Sequence, residues 1–217
     1  MTATVLRSHR GLFVTLEGIE GAGKSTQAKT VAAYLRGRGR IVIETREPGG
    51  TVVGEAIRRV LLQHSTGAME PETELLLMFA ARAEHVSKLI KPALVSGQCV
   101  VSDRFTEASY AYQGGGRKVP WARIAVLEDL IQGDLRPDLT LLLDAPVPLA
   151  LSRVRQRGGI PDRFESEASE FFEAVRHAYL HLAQRAPERI RVVDAAGAPA
   201  VVAIEIQTHL ERLFDLP

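Results

Sequence analysis

Apolar and polar positions alternate along the chain between short buried runs and longer amphipathic ones. Residues 12–16, Leu-Phe-Val-Thr-Leu, read as a buried first strand, and 26–35 follow as a helix with Ala28, Val31, Ala32 and Leu35 on one side. Residues 41–45 predict a second strand that ends in Arg46-Glu47-Pro48-Gly49-Gly50-Thr51, a rigid glycine-containing loop at the strand's C-terminal edge. Helical spacing returns over 53–62, with Val53, Ile57, Val60 and Leu61 as an apolar stripe. It returns again over 72–83 and 85–95, where Pro92 predicts a fresh start or a kink. Strands are predicted at 98–102, 139–144 and 190–193, and helices at 121–131, 148–156, 169–183 and 200–214. Such alternation predicts a three-layer α/β fold, a mostly parallel five-stranded sheet covered by helices.

Composition narrows the choice of partner. The 217 residues fit one domain, 1–217. Lys plus Arg total 27 against 26 for Asp plus Glu, so the chain lacks the global positive field of a dedicated nucleic-acid binder. Any anion site must be local. The lone Cys99, in an apolar run, excludes an internal disulfide and predicts a buried thiol in a reducing compartment. Residues 1–10 are short and mixed, with neither a signal peptide nor a spanning segment, so a cytoplasmic protein without a membrane partner is expected.

The chemistry starts at Gly18-Ile19-Glu20-Gly21-Ala22-Gly23-Lys24-Ser25, which directly follows the first strand and opens the first helix. This is P-loop spacing: the glycines let backbone N–H groups turn inward onto phosphates, and the helix N-terminus adds partial positive charge. Lys24 can reach the β and γ phosphates, and Ser25 can offer its hydroxyl to Mg²⁺. Gly18 through Thr26 is therefore the candidate ATP-phosphate site. No Asn-Lys-x-Asp base-reading motif of guanine-specific GTPases occurs. Instead arginines stand in three places: Arg46, Arg104 after the third strand, and Arg153, Arg155, Arg157 and Arg163 around a glycine-rich break. Transfer between two phosphate esters needs such a set, because charge on donor, acceptor and transferred group must be neutralised together. Asp103-Arg104 falls at a strand's C-terminal end, where ligands bind in open α/β sheets; a structural ion pair closing the loop is its other reading.

Four motifs in order then give a specific match. They are Phe13 to Gly18 with Gly23-Lys24-Ser25-Thr26-Gln27; Thr45 to Thr51; Asp103-Arg104-Phe105 with Ser109-Tyr110-Ala111-Tyr112-Gln113-Gly114-Gly115-Gly116-Arg117; and Arg157-Gly158-Gly159 with Asp162-Arg163-Phe164-Glu165. Over nearly all its length the chain resembles the bacterial thymidylate kinases, P-loop nucleoside monophosphate kinases that phosphorylate dTMP with ATP for dTTP biosynthesis.

The resemblance implies roles for matching residues. Lys24 holds donor phosphates, and Ser25 with Asp103 organises Mg²⁺. Arg104 meets the dTMP phosphate, with Arg46, Pro48 and Arg58 nearby, and Glu20 faces the acceptor sugar and phosphate. Arg82 approaches the base O4, and Phe79 or Met78 forms the base-side wall, since either spacing from Arg82 shares a helix face. Tyr112 lies near the deoxyribose, with Ser109 and Gln113 on the acceptor side. Residues 153–165 resemble a mobile lid. Gly21 stands where one subgroup carries a catalytic arginine, so the chain resembles the subgroup in which lid arginines act, with Arg153, Arg157 and Arg163 as candidates. A homodimer is also implied, through the apolar residues of 53–62 and 75–86. Two other readings are a kinase for another nucleoside monophosphate and a nucleic-acid-associated P-loop ATPase; the second needs a basic track that the charge balance does not offer.

Overall fold

A computed structural model describes residues 11–63, 69–158 and 160–215. The expectations for residues 1–10 and for Gly159 lie outside these. Five strands, β1 (Phe13–Glu17), β2 (Val42–Arg46), β3 (Cys99–Asp103), β4 (Leu139–Asp144) and β5 (Ile190–Asp194), form one sheet in the order β2-β3-β1-β4-β5. Every pairing is parallel. The order reverses around β1, which opens a crevice beyond the carboxyl ends of the strands.

Alternate side chains on the central strands enter different cores. Val14, Leu16, Cys99 and Val101 join one apolar cluster, while Phe13 and Val100 join another with Val86, Ile90 and Phe105. Both faces of the sheet are thus covered, and the Cys99 thiol is buried as its apolar run predicts. Four strands run one residue further toward the crevice than their apolar runs suggest, ending in Glu17, Arg46, Asp103 and Asp194. Register sets Asp103 between Leu16 and Arg46. Polar residues needed at the crevice are therefore delivered by the ladder itself.

The helices are α1 (Lys24–Gly37), α2 (Val52–Leu62), α3 (Pro71–His85), α4 (Lys91–Val95), α5 (Thr106–Ser109), α6 (Trp121–Gln132), α7 (Val147–Arg157), α8 (Ser169–Arg185) and α9 (Pro199–Asp215). Between α3 and α4 the chain stays helical through a widened π turn, Val86–Ile90, which ends two residues before Pro92. The wider turn takes up the hydrogen bond and the space that a proline ring denies to an α-helix.

The apolar stripe on α2 divides: Leu61 is fully buried in the core, while Val53 and Val60 are 48% and 42% exposed, which leaves them open to a contact outside the fold. Residues 106–116, to which the sequence assigns no element, form α5 continued by a π turn, Tyr110–Gly116. The three glycines that end it, Gly114, Gly115 and Gly116, serve close packing. A Cβ on Gly115 would lie 2.7 Å from the Ala178 Cβ, and one on Gly116 would lie 2.3 Å from the Phe171 ring, so the glycines let α8 approach.

Candidate active site

The P-loop turns from β1 into α1 through three left-handed glycines, Gly18, Gly21 and Gly23, with φ of 135°, 77° and 99°. It forms one wall of an open cavity of about 550 Å³ that also meets Asp103, Arg104, Arg153 and Arg157. The Lys24 ammonium folds back to donate to the Gly18 and Ile19 carbonyls at 3.0 and 2.9 Å. Burial, reinforced by the positive Arg104, lowers its pKa to about 8, against the opposing pull of Asp103, Glu20 and Glu17. Phosphate oxygens would restore what burial removes. Ser25 Oγ donates to Asp103 Oδ2 at 2.8 Å. Among the described residues no group of three or more His, Cys, Asp or Glu side chains could hold a metal alone. One hydroxyl and one carboxylate nonetheless suit Mg²⁺, a hard ion that takes most of its ligands from phosphates and water.

A second, smaller cavity, of about 80 Å³, adjoins the first. Glu20, Glu47, Arg58, Arg104 and Asp162 line both, so the two spaces share a charged wall. Arg104 is the centre of that wall. Its backbone takes φ 75°, unusual for a residue with a side chain, and is held there because its N–H donates to Leu16 O at 2.9 Å while its carbonyl accepts from Ser102 Oγ at 2.8 Å. The guanidinium donates to Gly18 O, Tyr179 OH, Tyr112 OH and Glu20 Oε1 at 2.7–3.0 Å. Burial alone would weaken its charge, but Tyr112, Glu20, Tyr179 and Glu17 hold its pKa well above the usual arginine value. Beneath it Glu17, fully buried, accepts from the Phe105 N–H and the Tyr179 hydroxyl, both at 2.7 Å.

Most residues expected on the acceptor side line this second cavity: Glu20, Pro48, Arg58, Arg82, Arg104, Ser109, Tyr112 and Gln113. The Tyr112 hydroxyl donates to Glu20, Arg58 Nη1 donates to Pro48 O at 3.0 Å, and Gln113 donates to Glu74 at 2.8 Å. Two expected residues do not line it. Arg46 faces only the larger cavity, where it makes paired hydrogen bonds to Glu55 at 2.9 and 3.0 Å. Phe79 is 2% exposed in a cluster with Leu75, Val119 and Ile124, and the Arg82 guanidinium covers its ring at 4.5 Å. Of the pair, Met78 faces the cavity, because one residue is a turn of about 100° on a helix.

The lid arginines separate in the same way. Arg153 donates to the Ala195 and Ala196 carbonyls at 2.8 and 3.0 Å, Arg157 pairs with Glu165, and both line the larger cavity. Arg163 lines neither cavity. It donates to Leu61 O at 2.8 Å and to the fully buried Glu74 at 2.7 Å, which turns it away from both cavities. Gly21 leaves no room for a side chain: a Cβ there would lie 2.0 Å from the Ala150 carbonyl oxygen of α7.

The thymidylate kinase family profile matches residues 16–206. The chain is 56% identical over 206 residues to a thymidylate kinase of Pseudomonas savastanoi pv. phaseolicola, covering 95% of this chain and 98% of that one. It is 60% identical over 190 residues to one of Alkalilimnicola ehrlichii, covering 88% and 87%. The crystal structure of thymidylate kinase from Ehrlichia chaffeensis superposes with a TM-score of 0.75 at 32% identity, over 93% of this chain and 99% of that one. The chain belongs to the thymidylate kinase family.

In this thymidylate kinase family member the second cavity is also lined by residues to which the sequence assigned no site role: Glu47, Leu62, Phe105, Ala108, Asp162 and Phe164. Phe105, Ala108, Ser109 and Tyr112 have the i, i+3, i+4, i+7 spacing of one helix face, a signal present in the sequence and masked by the glycines that follow. Nothing local marks Glu17 and Tyr179, 162 positions apart, as partners.

Proposed function

We propose that the chain is a kinase that transfers the γ-phosphoryl group of ATP to dTMP, giving dTDP and ADP for dTTP biosynthesis. The observation that carries this reading is the shared wall: a P-loop cavity and a smaller, partly apolar cavity meet at Arg58, Arg104 and Glu20. Donor and acceptor phosphates brought to that wall from opposite sides are held for in-line displacement. An ATPase would need no second cavity of this kind.

Lys24 and the P-loop N–H groups bind the donor phosphates. Ser25 and Asp103 hold Mg²⁺, which when bound neutralises charge on those phosphates. Arg104 and Arg58 receive the acceptor phosphate, and Glu20, together with Tyr112, faces the sugar. Arg82 donates to a base carbonyl oxygen, and Met78 and Phe105 wall the base. The acceptor phosphate oxygen is already nucleophilic, so no general base is required; alignment and charge stabilisation lower the barrier. With Gly21 blocked, Arg157 and Arg153 of the lid, residues 153–165, supply the remaining cations and exclude water on closure.

Among the described residues no helix is long and apolar enough to cross a membrane. We read the chain as a cytoplasmic homodimer acting on small molecules and not on nucleic acid. A screen of dTMP, dUMP, CMP, AMP and GMP as acceptors tests the substrate. The reading predicts the highest kcat/KM for dTMP, and a preference for another base contradicts it.

A further inference from the structure

We infer that His85 is a positioning residue for Arg82, acting through Glu47, and thereby sets how tightly the acceptor cavity grips the base it encloses. The inference rests on the reading of that cavity as the dTMP site. Arg82, Glu47 and His85 are 2%, 5% and 0% exposed, so water does not hold them in place. Glu47 Oε2 accepts from Arg82 Nε at 2.7 Å, and Oε1 meets His85 Nδ1 at 2.8 Å. Burial would raise the carboxyl, but the Arg82 charge and the His85 hydrogen bond outweigh it and hold Glu47 below the usual carboxylate range. A carboxylate only accepts, so Nδ1 carries the proton.

The rest of the guanidinium is fixed as firmly. Nη1 donates to Ser109 Oγ and Nη2 to Phe105 O, each at 3.0 Å. Of five guanidinium hydrogens these contacts and Glu47 use three, which leaves one on each terminal nitrogen for an oxygen acceptor in the cavity. Their aim depends on the angle at which Glu47 holds Nε, and His85 fixes that angle. The imidazole is anchored from behind by Thr45 Oγ1, 2.7 Å from Nε2, and by the loop: a Cβ on Gly50 would lie 2.6 Å from Nε2. His85 itself lines neither cavity, so its influence on a ligand must pass through Glu47 and Arg82.

Two substitutions of similar volume separate positioning from packing. In His85→Asn the amide nitrogen replaces Nδ1 and can still donate to Glu47; in His85→Gln it replaces Nε2, and Glu47 loses its partner. The measurement is dTMP and ATP binding by calorimetry for the wild type and both variants. Loss of a hydrogen bond to a charged group predicts that His85→Gln binds dTMP about tenfold more weakly than His85→Asn, with ATP affinity unchanged. Equal dTMP affinities for the two variants, in folded protein, overturn the inference alone. A wild type that binds no dTMP overturns the functional reading and the inference with it. If either His85 variant fails to fold, Thr45→Val, which keeps the shape and frees Nε2, carries the test: dTMP binding weakened about threefold or more with ATP unchanged supports the relay, and unchanged dTMP binding overturns it.

Discussion

Ser25 Oγ donates to Asp103 Oδ2 at 2.8 Å, tying the end of β3 to the first turn of α1 at the P-loop cavity. Asp103→Asn keeps an oxygen that can accept this bond and removes the charge that would attract a divalent ion. The Mg²⁺ concentration for half-maximal activity should rise at least about tenfold, while metal-free nucleotide affinity changes little. Titrating activity with Mg²⁺, and nucleotide binding in its absence, separates the two; an unchanged Mg²⁺ requirement removes Asp103 from the metal site.

Arg157 and Arg163 should give different phenotypes although they share one motif. Arg157 lines the larger cavity and is 64% exposed, so Arg157→Ala should lower kcat by about 10²-fold, the typical cost of removing a group that stabilises transition-state charge, with the dTMP KM little altered. Arg163→Ala instead takes one partner from the buried Glu74, which keeps Arg117 and Gln113, and should cost about 2 kcal/mol of stability with kcat much less affected. Steady-state kinetics and urea unfolding of both variants check this. A large kcat loss in a fully stable Arg163→Ala would return Arg163 to the chemistry.

That contrast shows what the sequence could reveal. The three central strands were legible because a parallel sheet covered on both faces needs continuous apolar runs, and the P-loop because its glycine spacing is required by backbone geometry. A motif supplies residue types without directions. Asp162 and Phe164 face the cavity while Arg163 between them turns to Glu74, and Met78 faces it while the adjacent Phe79 enters the core. Those directions depend on neighbours far along the chain. Gly21 could be seen to lack a cation, but that α7 forbids a side chain there follows only from packing.

Glu17 should leave a mark on stability as pH changes. Burial, with the nearby Glu107, pushes its pKa up to about 8 from an ordinary value of 4.5, against the lowering influence of Arg104, Tyr179 and the Phe105 N–H. The folded protein therefore binds a proton that the unfolded chain releases. The resulting stabilisation is full below pH 4.5 and is lost as pH rises through about 8. Glu17→Gln should lose this part of the decline. Urea unfolding between pH 5 and 8 measures it, and identical slopes for the wild type and the variant would contradict a raised Glu17.

The proposed dimer has a location to test. Val52 and Leu76 are 91% and 58% exposed, beside the half-exposed Val53 and Val60. Sedimentation at micromolar concentration should give about twice the 23.7 kDa chain mass, and Leu76→Glu should shift it toward the monomer, because burying an unpaired charge in an apolar contact is costly. A wild type found only at 23.7 kDa refutes a stable dimer.

If two phosphate esters meet at the wall built on Arg104, the fate of ATP depends on dTMP, so ATP loss is to be measured with and without it. With Mg²⁺ and both nucleotides present, each ATP lost should appear as one dTDP, and omission of dTMP should reduce ATP loss by orders of magnitude, because the lid excludes water from the donor phosphate. Comparable ATP loss in both conditions, with no dTDP formed, would rule out phosphoryl transfer at this wall.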